Sequence, residues 1–167
     1  MDYIEIRKIT QDDNADVARI IRETLVEYGA PKVGTAYADP ELDRMFETYN
    51  VPKSVYFVLT ENGNVIGSAG IAPLANADES ICELQKMYFS KQARGRGFGK
   101  MMMAKCLEAA RDFGYEKCYL ETLPYMNEAQ ALYRKSGFRN IERPLGGTGH
   151  TSCTVWMLRE LELTIDN

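Results

Sequence analysis

Tyr3 to Ile9 alternates apolar and polar side chains, the period of a strand with one buried face. Beyond it the period becomes helical. Val17, Ile20, Ile21, Leu25 and Tyr28 form one apolar stripe, with Thr10 or Asp12 as the cap ahead of it and Gly29 as the stop. Residues 30–40 carry Gly and Pro without periodicity and read as a loop. Pro40 suits a first helical position, so a short second helix is expected over Glu41 to Tyr49. Two β-rich runs, Ser54 to Thr60 and Val65 to Ala72, flank Asn62-Gly63, a pair that tolerates the positive φ of a tight hairpin turn. Another strand is expected over Ile81 to Phe89. Met102, Met103, Cys106, Ala109, Ala110 and Phe113 then recur at helical spacing across residues 99–113, and Gly114 ends that helix. Lys117 to Leu123 reads as a strand, and Asn127 with Gln130 predicts a capped helix ending at Gly137. Ile141 to Arg143 and Thr151 to Leu158 are expected as closing strands. The predicted order is β-α-α-β-β-β-α-β-α-β-β. This is an α/β (α+β) single domain over residues 1–167, one mixed, mostly antiparallel sheet flanked by about four helices.

Composition narrows the class. With 45% hydrophobic and 26% charged residues, the 167-residue chain has the balance of a globular domain rather than a disordered one. No run approaches the ~20 apolar residues that a membrane helix needs, and the start, Met1-Asp2-Tyr3-Ile4-Glu5, is too charged for a signal peptide. A cytoplasmic protein with no membrane contact is the expectation. Cys82, Cys106, Cys118 and Cys153 contain no Cys-x-x-Cys pair, which argues against a structural zinc site and a disulfide scaffold; buried free thiols are expected instead. His150 and Cys153 alone are too few ligands for a metal. A net charge of −4 gives no general reason to bind nucleic acid. Locally the sign reverses: Lys91, Arg94, Arg96, Lys100 and Lys105 crowd one short stretch, which suits an anionic ligand.

That stretch contains Arg94-Gly95-Arg96-Gly97-Phe98-Gly99-Lys100, between a predicted strand and a predicted helix. Glycines let backbone N–H groups approach a ligand, and a helix N-terminus adds a positive dipole, so the segment reads as a pyrophosphate cradle. A P-loop would need Gly where Arg94 stands and Ser or Thr where Met101 stands. A dinucleotide fingerprint would need Gly in place of Lys100, and normally follows a first strand. Both fail. Arg94-x-x-Gly97-x-Gly99 resembles instead the acetyl-CoA signature of the GNAT N-acetyltransferases: Gln or Arg, two residues, Gly, one residue, then Gly or Ala. Downstream, Asn127 to Phe138 is similar to the family's second hallmark, which runs from an Asn through Ala and Leu-Tyr to Gly-Phe.

The resemblance covers essentially the whole chain, and it implies roles. Backbone amides of the loop would hold the CoA pyrophosphate, with Arg94, Arg96 and Lys100 adding charge around Gly95, Gly97, Phe98 and Gly99. The strand backbone at Met87, Tyr88 and Phe89 would pair with the pantetheine arm as another strand would. Asn127 would contact the cofactor or serve as an ordinary helix cap. Tyr133 matches the tyrosine that protonates the leaving thiolate, a role its phenol suits; the alternative is a core tyrosine. Glu83 occupies the strand position where some members carry a catalytic base, and alternation puts it on one face with Gln85, Met87 and Phe89. Histidine titrates near neutrality, so His150 is a second base candidate, against a structural role in its loop. The implied activity is direct transfer of acetyl from acetyl-CoA to a primary amine, without metal. A small metabolite such as an amino acid or polyamine is the expected acceptor; a protein amine, or acyl-CoA binding without catalysis, is the alternative. A homodimer is common in the family, and the sequence leaves that open.

Overall fold

Strands form at β1 (Ile4–Lys8), β2 (Val55–Glu61), β3 (Asn64–Pro73), β4 (Ile81–Phe89), β5 (Lys117–Thr122), β6 (Arg139–Ile141) and β7 (Val155–Glu160). A computed structural model describes residues 2–162 of the chain. Its sheet runs β1-β2-β3-β4-β5-β7-β6, antiparallel throughout except where β4 lies parallel to β5. The hairpin between β2 and β3 turns on Asn62 (φ 52°) and Gly63 (φ 84°), the left-handed pair that this dipeptide predicts.

Among the described residues four α-helices cover the sheet: α1 (Asn14–Glu27), α2 (Met45–Tyr49), α3 (Phe98–Asp112) and α4 (Asn127–Lys135). Alternation along β2 divides the core. Phe57 and Leu59 pack with Met102, Cys106 and Tyr133 of α3 and α4. Tyr56 and Val58 pack with Val17, Ile21 and Met45 of α1 and α2. Val17, Ile20, Ile21 and Leu25 are each at most 2% exposed. At about 1.5–3 kcal/mol per buried side chain, that stripe outweighs any helix cap, worth about 1 kcal/mol.

Several boundaries differ from expectation, each for a local reason. Thr10 caps a 3-10 turn at Gln11–Asp13, and α1 starts only after it. The Asp13 carboxylate there accepts from the Thr10 N–H (2.7 Å) and from both terminal nitrogens of Arg7. The first part of the expected second helix is a 3-10 turn at Pro40–Arg44, and only Met45–Tyr49 is α-helical. Asn127 does not cap α4. Met126 is the capping residue with no side-chain bond, and Gln130 donates instead to the carbonyls of Leu123 and Pro124. β6 starts at Arg139, two residues after the left-handed Gly137 that follows α4. β7 begins later than Thr151 because residues 150–153 are held elsewhere: Ser152 N–H donates to Gly34 O (3.0 Å).

Candidate active site

The parallel pairing of β4 with β5 lasts for three positions, ending at Glu83 opposite Tyr119, after which the strands part. A β-bulge lies just beyond that point. Between the pairs Ser68–Tyr88 and Gly70–Gln85, β3 contributes one residue where β4 contributes Lys86 and Met87. Lys86 is left-handed (φ 50°), and its carbonyl accepts a bond from the buried Tyr56 hydroxyl (2.7 Å). The extra residue inverts the alternation. Met87 and Phe89 pack toward α3 and α4 with Leu84, whereas Tyr88 faces α1. Glu83 and Gln85 therefore do not share a face with Met87 and Phe89, contrary to simple alternation.

The splay opens a groove of about 860 Å³. Met87, Tyr88, Phe89, Arg94, Gly95, Gly97, Phe98, Gly99, Lys100 and Tyr133 all line it; Arg96 and Asn127 do not. With the expected Asn-x-x-Ala-x-x-Leu-Tyr spacing counted back from Tyr133, the Asn place falls on Met126, which does line the groove. The β4 edge from Leu84 to Phe89 has no strand partner on the β5 side, so its amides and carbonyls can meet an extended ligand. At the groove's far end Gly97 stands as N-cap of α3 with φ 82°, a conformation that favours glycine. The backbone ladder of α3 begins with Met101 N–H to Gly97 O (3.4 Å), which leaves the first-turn N–H groups free for an anion. A Cβ on Gly99 would lie 2.9 Å from Leu132 Cδ2, so glycine there permits the close approach of α3 to α4.

The arginines are already engaged. Arg94 forks onto Glu27 (Nη2–Oε1 3.0 Å) and donates to Phe89 O, while Arg96 pairs with Glu61. Lys100 has no carboxylate partner among the described residues. Backbone N–H groups and Lys100 therefore supply positive field at the loop, and Arg111, Lys135 and Arg159 add to it elsewhere along the groove.

At the bottom of the splay a smaller cavity of about 60 Å³ is bordered by Leu84, Lys86, Met87, Glu121, Tyr133 and Cys153. Tyr133 belongs to both spaces and is 8% exposed; its ring packs edge-on to Phe138, and its hydroxyl makes no hydrogen bond within the described residues. Burial pushes its phenol up to about 12, so it remains a proton donor at neutral pH. Glu83 is 7% exposed. Burial pushes its carboxyl up to about 7, against a hydrogen bond donated by Gln85 Nε2 (2.6 Å), and the neighbouring Glu121 charge adds to the rise. Gln85 is oriented in turn by the Tyr49 hydroxyl, which donates to its Oε1.

Neither Glu83 nor His150 borders either space. The His150 Nε2 lies 2.9 Å from both oxygens of Asp39, whose other partner is Lys86 (2.9 Å), and Lys86 also reaches Glu41 (3.3 Å). The bond to Asp39 raises the His150 pKa against the effect of burial. Burial pushes Asp39 upward, but His150 and Lys86 together hold it below its ordinary value. This chain ties residues 30–40 to the loop before β7. Cys82, Cys106 and Cys118 are buried free thiols, as expected, while Cys153 is half-buried with its thiol pushed up to about 12 by burial. Among the described residues no three His, Cys, Asp or Glu side chains converge to hold a metal, and no helix is long and apolar enough to cross a membrane.

Sequence reasoning missed Gln85, Tyr49, Asp39, Lys86 and Glu121. Only Glu121 left a signal, a carboxylate inside the otherwise core-forming strand Cys118-Tyr119-Leu120-Glu121-Thr122.

A glycine-capped helix at one end of a groove and an open strand edge along it suit an acyl-CoA-dependent transferase. The profile of the acetyltransferase (GNAT) family matches residues 18–138. An uncharacterised N-acetyltransferase of Escherichia coli is 45% identical over 93% of this chain and 94% of its own length. Among solved structures, a GNAT-family acetyltransferase of Staphylococcus aureus superposes with TM-score 0.85 at 20% identity, over 96% of this chain and all of that one. A phosphinothricin acetyltransferase of Sinorhizobium meliloti, solved with acetyl-CoA, superposes with TM-score 0.76 at 23% identity, over 98% of this chain and 92% of its own. The chain belongs to the acetyltransferase (GNAT) family and is an acetyl-CoA-dependent acetyltransferase.

Proposed function

We propose that the protein transfers the acetyl group of acetyl-CoA to the primary amine of a small metabolite, by direct attack within a ternary complex. The observation that carries this reading is the state of two groups near the splay: a Glu83 carboxyl raised to about 7 by burial, and a Tyr133 phenol that borders the groove with an uncommitted proton. Glu83, about half ionised near neutral pH, accepts the ammonium proton directly or through one water. The freed nitrogen attacks the thioester carbonyl, the C–S bond breaks, the thiolate takes its proton from Tyr133, and the second proton shed by the acylated nitrogen restores the phenol. The β4 edge at Met87 to Phe89 holds the pantetheine arm, and the first turn of α3 with Lys100 holds the pyrophosphate. A small acceptor is supported by the narrow cavity and by the closure of its surroundings through His150–Asp39 and Ser152–Gly34.

The test is CoA thiol release from acetyl-CoA across a panel of small amines and lysine peptides. Turnover with at least one small amine is expected, and Tyr133→Phe should lower its kcat by about 10²-fold while acetyl-CoA still binds. Preference for the peptides would overturn the acceptor class. Affinity for acetyl-CoA without any turnover would overturn catalysis.

A further inference from the structure

The charges around the 60 Å³ cavity do not balance. Lys86 borders it, but its ammonium is spent on Asp39 (2.9 Å) and Glu41 (3.3 Å), and its side chain is only 6% exposed. His150 is likewise committed to Asp39 (2.9 Å). Glu121, on the opposite wall, has no basic partner among the described residues. Its two oxygens accept from the Tyr119 hydroxyl (2.7 Å) and from the Thr148 hydroxyl, bonds that fix the carboxylate without neutralising it. A half-buried carboxylate held in place and left without a cation is strongly disposed to take one from a ligand. A second observation concerns the same space: Tyr133, 8% exposed and with no hydrogen-bond partner for its hydroxyl among the described residues, borders this cavity as well as the groove. The remaining border offers an anion no further charge: Leu84, Met87 and Cys153 are neutral, and Thr35, Tyr88 and Thr122 bring hydroxyls only.

We propose that Glu121 selects the acceptor, by binding a second ammonium group on an amine whose other nitrogen is acetylated. The acceptor class is thus a slender diamine rather than an amino acid. A carboxylate on the acceptor would face Glu121 and would have to take Lys86 from two existing partners. This rests on the transferase reading above, in which Glu83 serves the reacting nitrogen; Glu121 serves the other end of the same molecule.

Cadaverine, n-pentylamine and δ-aminovalerate share one reacting amine and a five-carbon chain, and differ only in an ammonium, methyl or carboxylate terminus. Their affinities for the CoA-loaded protein, measured by calorimetry, should fall in that order, with cadaverine about tenfold tighter than pentylamine, the scale of one charge-assisted hydrogen bond. In turnover the same order should appear in KM, with kcat nearly shared. Glu121→Gln should bring the three affinities within about twofold of one another while CoA affinity is unchanged. Should that variant fail to fold, Glu121→Asp decides: the charge withdraws by one methylene, so the order must persist with a smaller cadaverine advantage. Equal affinities in the native protein, tighter binding of δ-aminovalerate, or an undiminished cadaverine advantage in either folded variant would overturn the proposal. Binding in the expected order without any CoA release would instead overturn the transferase reading and leave the assignment of Glu121 standing.

Discussion

Single residues decide the chemistry, and they were unevenly legible. Glu83, Tyr133 and His150 are visible as candidates, but environment assigns their roles. Glu83 is raised to about 7 mainly by burial, which no strand pattern reveals. His150 is tied to Asp39, a partner 111 positions away in sequence, which raises its pKa and favours the imidazolium. A protonated imidazole is a poor base. The rate–pH profile should therefore rise through a limb near pH 7 that belongs to Glu83. Glu83→Gln is expected to remove that limb and lower kcat by about 10²-fold, with acetyl-CoA affinity within about twofold of native. His150→Gln should keep the limb. The opposite pattern in kcat/KM against pH would transfer the base to His150. Arg94 and Arg96 show the same limit of sequence reading. Their carboxylate partners lie 67 and 35 positions away, so the basic loop looks more available to phosphate than it is.

Elements were easier to place than to orient. The Asn62-Gly63 hairpin, the α3 stripe and the end of β4 at Phe89 all follow from local rules. The bulge does not, because a left-handed Lys86 carries no sequence mark of its conformation. That one residue moves Met87 and Phe89 to the opposite face. The mistaken cap at Asn127 has a related cause: Gln130 fits a capping box by spacing, but tertiary carbonyls claim its amide. The start of α3 yields a test of the cofactor element. Gly97 has φ 82° and no protein atom within 4 Å of where a Cβ would stand. Glutamate there meets backbone strain of roughly 1–2 kcal/mol and places a carboxylate at the anion site. Acetyl-CoA at a hundredfold excess over Kd should stabilise the native protein by about 2.7 kcal/mol. Thermal unfolding should show that gain abolished in folded Gly97→Glu. A full shift in the variant would remove the pyrophosphate from this loop.

For the whole molecule, sheet order and the parting of β4 from β5 were beyond the sequence, since each strand's pattern is silent about its neighbour. The consequence is a stability that depends on pH in an unusual direction. Glu83 moves from an unfolded value of 4.5 to about 7 in the fold. Between those values the folded chain holds a proton that the unfolded chain has lost, so stability falls as pH rises, by roughly 3 kcal/mol at most. His150, raised by Asp39, acts in the same sense at higher pH. Its contribution is complete below about 6.5 and is lost as pH rises through the folded value. Asp13 acts oppositely. Burial pushes it up, but Arg7 and Thr10 hold it below 3.8, so its contribution is present above that value and lost in acid. The ligand-free protein should therefore be most stable in mildly acidic solution and weaken steadily through neutrality. Urea unfolding between about pH 5 and pH 8 reads this directly. Glu83→Gln removes the ionisation while retaining an acceptor for Gln85, so it should match the native protein near pH 5 and exceed it near pH 8. His150→Gln should keep the decline below about 6.5 and flatten the part above it. If native stability instead rises across this range, the Glu83 carboxyl is ionised in the fold at neutral pH, and its burial does not prepare it as a base.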